Sequence, residues 1–134
     1  MYNKIINYVE ETLVDYGFGK IEVIEDDVLA YNCMTNTLHI CYKKEDDEFE
    51  EFMVEYLKEE FDLEISKDKL YTFYILHELG HKETIDKVDV DRYYDEVERI
   101  DKHDYLSYRK IFAEYLADNW AVQFIKTFEG ILNL

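Results

Sequence analysis

Apolar residues recur along most of this chain at helical spacing, and one early stretch alternates instead. Ile5, Ile6, Val9 and Leu13, then Tyr16, predict an amphipathic helix over residues 3–16, stopped by Gly17 and Gly19. Residues 20–25 alternate around Ile21 and Val23, and residues 28–33 and 37–42 form two further strand-like runs. Asp26-Asp27 and Met34-Thr35-Asn36 separate them, so an antiparallel meander is expected. Helical spacing returns over 46–61, where Phe49, Phe52, Met53, Tyr56 and Leu57 share one face and acids fill the other. Ser66 is expected to cap a helix running from about residue 67 to His81 or slightly beyond. Val90, Tyr93, Tyr94, Val97 and Ile100 predict a helix over 89–101. One long last helix is predicted over 104–128, ended by Gly130. No repeat, linker or proline divides the 134 residues, so one α+β domain spanning 1–134 is expected.

Composition narrows the partners. The formal net charge is −17, which repels nucleic-acid backbones and anionic membranes and leaves a protein or peptide partner, a basic one included. A hydrophobic share of 48% places the chain among folded domains despite its charge. Cys33 and Cys41 lie in strand-like segments. With no signal-peptide pattern after Met1 and no apolar run of membrane-spanning length, a cytoplasmic protein with free thiols is expected.

The most informative stretch is His77-Glu78-Leu79-Gly80-His81, the pattern H-E-x-x-H, at the end of the apolar run from Leu70 to Leu76. On a helix, residues four apart share a face, so His77 and His81 can aim two imidazoles at one point. Zinc accepts such nitrogens at about 2.0–2.1 Å. Glu78 is offset around the helix, where it reaches a metal-activated water without taking a ligand position and serves as general base. Histidine and glutamate on so apolar a helix need partners, because burying them unpaired is costly.

A catalytic zinc site needs a third protein ligand and one open place. No histidine follows His81 in the frame of an extended motif, and the other histidines are His39 and His103. The last predicted helix supplies Glu114 and Asp118, four apart, beside a stripe of Ala113, Ala117 and Ala121 that allows close helix approach. Glu114 is the expected third ligand. Asp118 is expected to accept from the outward nitrogen of a ligating histidine and fix its tautomer.

His77-Glu78-Leu79-Gly80-His81, followed by Glu114-Tyr115-Leu116-Ala117-Asp118-Asn119-Trp120-Ala121, resembles the ImmA/IrrE-type zincin metallopeptidases of bacteria, phages and mobile elements. The strand over 37–42 also looks like the one preceding the motif helix in that group, and the resemblance covers residues 36–125. It implies a gluzincin-like site, two histidines and one glutamate on zinc with Glu78 as base. It implies a small zincin-like α+β domain as well, the motif helix and a long C-terminal helix on a short, mainly antiparallel three-stranded sheet. The 33 positions from His81 to Glu114 are long for the group and very acidic, and these 134 residues include no helix-turn-helix unit of the kind some relatives carry. The substrate therefore does not carry over.

The expected function is a zinc-dependent metalloendopeptidase acting on a protein. The alternative is a binding or regulatory module of the same fold with little or no turnover; an intact Glu78 favours the enzyme. A tyrosine between 93 and 108, or His103, is expected to stabilise the oxyanion. The strand over 37–42 is expected to align substrate as a sheet edge. His39 and Cys41 share a face of that strand and read as strand packing rather than a metal pair. Glu78-Leu79-Gly80-His81 is also E-x-x-H, but a di-iron bundle wants a second such motif and none exists.

Overall fold

The computed structural model describes residues 2–15, 21–41, 45–128 and 130–133. In chain order these form α1 (Tyr2–Asp15), β1 (Glu22–Glu25), β2 (Ala30–Asn32), β3 (Thr37–Ile40), α2 (Asp47–Phe61), α3 (Leu70–Thr84), α4 (Val90–Arg99), α5 (Tyr105–Lys110) and α6 (Phe112–Thr127). The class is α+β, as expected. The glycine stop at Gly17 and Gly19, with Tyr16, Lys20 and Tyr42, lies outside the described residues. No helix among the described residues is long and apolar enough to cross a membrane.

The sheet departs from a meander. Its order is β1-β3-β2, with β1 parallel to β3 and β2 antiparallel to it, so the sheet is mixed rather than mainly antiparallel. Burial explains the order. β3 carries buried Thr37, Leu38 and Ile40, whereas β1 is mostly exposed and bears Glu22 and Glu25. The most apolar strand takes the doubly paired centre and the charged strand an edge. The turn into β3 ends on Asn36, whose left-handed φ of 50° suits asparagine.

The core forms where α3 meets α6, the sheet and α2. Leu70, Phe73, Ile75, Leu76 and Leu79 of α3 are buried with Leu38, Met53, Leu57, Val122 and Ile125. Each such side chain contributes about 1.5–3 kcal/mol by leaving water. α3 begins at Leu70, after a 3₁₀ turn over Lys67–Lys69. Ser66 precedes that turn but makes no side-chain cap to the backbone; its hydroxyl donates to Asp68 instead.

The last helix is two helices. The chain bends at Ile111, where ψ is 132°, so α5 and α6 replace the continuous helix predicted over 104–128. No proline or glycine marks the break. Ile111 itself is buried, and packing that side chain offsets the interrupted hydrogen-bond ladder. α4 lies outside this core and has no buried residue.

Candidate functional site

α3 and α6 cross in close contact. A β-carbon placed on Gly80 would stand 2.7 Å from the Ala117 carbonyl oxygen. Ala113, Ala117 and Ala121 are all buried, so the small-residue stripe lies in the packed interior of the fold. This approach brings the histidines of α3 against the acids of α6.

His77 Nε2 stands 2.8 Å from Glu114 Oε2, and His81 Nε2 stands 3.4 Å from the same oxygen. The donor atoms of His77, His81 and Glu114 all lie within 4.8 Å of one another, an arrangement that could hold a metal ion. A tetrahedral zinc holds such donors at about 2.0–2.1 Å, and so about 3.4 Å from each other. The His81–Glu114 separation of 3.4 Å matches that spacing, and the His77–Glu114 separation of 2.8 Å would have to widen. His77 and Glu114 are buried, and His81 is half-buried toward solvent.

The outer face of His77 meets a buried ion pair. Its Nδ1 lies 2.7 Å from Asp118 Oδ1. Arg109 Nε donates to Asp118 Oδ2 at 2.9 Å, and Arg109 Nη2 donates to Oδ1. Arg109 Nη2 also lies 3.2 Å from His77 Nδ1. Both groups are donors when Nδ1 carries its proton toward Asp118, so Asp118 is the shared acceptor between two cationic neighbours. That proton position leaves Nε2 as the nitrogen facing Glu114. Burial opposes the charge on Asp118, but Arg109 and His77 outweigh it and hold the carboxyl below its ordinary range. Burial likewise opposes Glu114, yet His77 and His81 hold it well below the carboxylate range.

Glu114 is held on its other oxygen as well. Tyr93 of α4 and Tyr108 of α5 donate their hydroxyls to Oε1 at 2.6 and 3.0 Å. Neither tyrosine hydrogen is therefore aimed at a developing oxyanion in this arrangement. His103 is exposed, and it is absent from the residues around the cleft described next.

Glu78 is not among the three clustered donors but lines, with His77 and Glu114, a cleft of about 320 Å³ whose walls include Val28, Leu29, Phe49, Tyr71, Tyr74 and Tyr108. Burial raises the Glu78 carboxyl above its ordinary value, and the nearby histidines partly offset that. β3 is paired on both sides, so it is not a sheet edge, and the strand beside Glu78 is β2. His39 Nδ1 donates to Asp26 Oδ2 at 2.8 Å, and Cys41 is a free thiol.

Arg109 has no counterpart among the expected site residues, and Tyr93 and Tyr108, within the stretch expected to supply an oxyanion donor, instead bond Glu114. Nothing local distinguishes Arg109 from its neighbour Lys110. The bend at Ile111 turns α5 back on α6, and a continuous helix would not predict that contact.

Protein-family models, curated proteins and solved structures yield no match to this chain.

Proposed function

We propose that the chain is a zinc-dependent metallopeptidase of the zincin type, of the kind the ImmA/IrrE resemblance implies, cleaving peptide bonds in a protein substrate. One observation carries the reading: two imidazole nitrogens and one carboxylate oxygen face a common point, with a separate carboxylate, Glu78, at the adjoining cleft. His77, His81 and Glu114 would hold a zinc ion, which would supply Lewis acidity and lower the pKa of a bound water. Glu78, whose carboxyl burial raises above its ordinary value, would take a proton from that water and pass it to the departing amine. Asp118, anchored by Arg109, holds His77 with Nε2 toward the ligand point.

Residues 27–29, leading into β2, form one wall of the cleft, so β2 is the strand that pairs with an extended substrate. Asp27, Glu45, Glu78 and Glu114 line the cleft, while its cation, Arg109, is already paired with Asp118. A basic substrate segment suits that balance. The free thiols of Cys33 and Cys41 suit a reducing, cytoplasmic setting.

The test is elemental analysis of protein purified without added metal, wild type beside His77→Ala. About one zinc per chain in the wild type, lost in the variant, is the expected result. Metal-free wild type after zinc is supplied would sink the proposal.

A further inference from the structure

We propose that Tyr93 and Tyr108 form a clamp that makes Glu114 a one-oxygen ligand, and that this clamp sets the affinity and metal preference of the site. The inference rests on the zinc reading above. Its basis is a division of labour across one carboxylate. Oε2 faces both histidines, at 2.8 and 3.4 Å. Oε1 accepts both tyrosine hydroxyls, at 2.6 and 3.0 Å. A carboxylate oxygen offers two lone-pair sites. Two hydroxyl donors therefore use up Oε1 and leave it no lone pair for a metal.

A carboxylate without that restraint can rotate and bind through both oxygens. The coordination number then rises, and larger oxygen-loving cations compete better with zinc. Held by one oxygen, Glu114 keeps a histidine-rich site at few protein donors with one place open, the arrangement of catalytic zinc. The two tyrosines come from different elements, Tyr93 from α4 and Tyr108 from α5, so each can be removed alone. Tyr93 is half-buried on a helix with no buried residue, and its ring survives substitution by phenylalanine. Both act through Glu114 and are positioning residues.

The experiment loads cobalt(II) into wild type, Tyr93→Phe, Tyr108→Phe and the double variant. It records the visible ligand-field bands and measures zinc affinity by competition with a chromophoric chelator. Wild type is expected to give the intense bands of a four-coordinate ion, and the double variant the weaker bands of higher coordination. Zinc affinity is expected to fall about tenfold per hydroxyl and about a hundredfold in the double variant, the range for lost outer hydrogen bonds to ligands. The preference for zinc over manganese should narrow in parallel. A double variant with the wild-type spectrum and unchanged zinc affinity overturns the clamp. If the double variant does not fold by circular dichroism, the single variants decide by the same two readouts. Wild type that binds neither cobalt nor zinc overturns the clamp together with the metallopeptidase reading, whereas tight wild-type binding with unaltered variants overturns the clamp alone.

Discussion

Gly80 and Ala117 touch backbone to backbone: any side chain on Gly80 would meet the Ala117 carbonyl oxygen at 2.7 Å. The variable fourth position of the H-E-x-x-H stretch is thus constrained in this chain by helix packing. The distance between α3 and α6 sets the distance between two histidines and their acidic partners. Gly80→Ala is expected to cost about 1–3 kcal/mol, the range for overpacking a tight core. Urea unfolding of the metal-free protein checks it, and an unchanged midpoint would show that the two helices part without strain.

Arg109 and Asp118 are both buried and paired. Removing one strips the other of its main counter-charge, so Arg109→Met and Asp118→Leu should each destabilise by about 3–5 kcal/mol. Combining Arg109→Met with Asp118→Leu should recover part of that loss, because no charge is stranded. Zinc affinity should not recover, because His77 Nδ1 still lacks its acceptor. A double-mutant cycle on unfolding, run beside zinc titration, separates the two effects. Strictly additive losses would argue against the pair acting as a unit.

Metal-free protein should respond to pH through His77. Burial disfavours its charged form, but Asp118 and Glu114 outweigh burial and raise it from 6.5 to about 9. A group raised on folding stabilises fully below its unfolded value, so this contribution is present below 6.5 and lost as pH rises through 9. Melting temperature in a chelator should fall across that window. Zinc binds the neutral imidazole, so its affinity should climb over the same window, roughly tenfold per pH unit. Glu114 and Asp118 are shifted down and contribute in the opposite sense: their stabilisation is lost in acid, below the ordinary values of 4.5 and 3.8. A flat melting temperature from 6.5 to 9 would contradict the bridging imidazolium.

Glu78 is absent from the ligand cluster, so Glu78→Gln should keep zinc and lose turnover. The expected loss is about 10²–10⁴-fold for removal of a general base. Peptide cleavage and metal content are measured on the same preparation. Full activity in the variant would remove Glu78 from the proposed mechanism.

Local periodicity made part of the site legible. The motif helix and the shared face of His77 and His81 follow from four-residue spacing. The pairing of that face with Glu114 and Asp118 follows from an alanine stripe too small to hold helices apart. Sheet order was not legible, because it depends on which strand buries most, a comparison among Leu38, Ile40 and the charged ends of β1. The bend at Ile111 was hidden because no proline or glycine marks it and Ile111 is buried like Ala113 and Ala117 of the helix that follows. Arg109 was hidden with it, as was the bonding of Tyr93 and Tyr108 to Glu114, since each depends on a contact between elements that local spacing does not encode.

The bend at Ile111 also bears on how the molecule assembles. Arg109 meets Asp118 across nine positions and Tyr108 meets Glu114 across six, whereas His77 meets Asp118 across 41. By loop-closure entropy the nine-residue contact is easier to close than the 41-residue one by about 1.3 kcal/mol. The acids of α6 thus share a short-range corner with Arg109 and Tyr108 of α5, whereas their contact with the histidines of α3 closes a much longer loop.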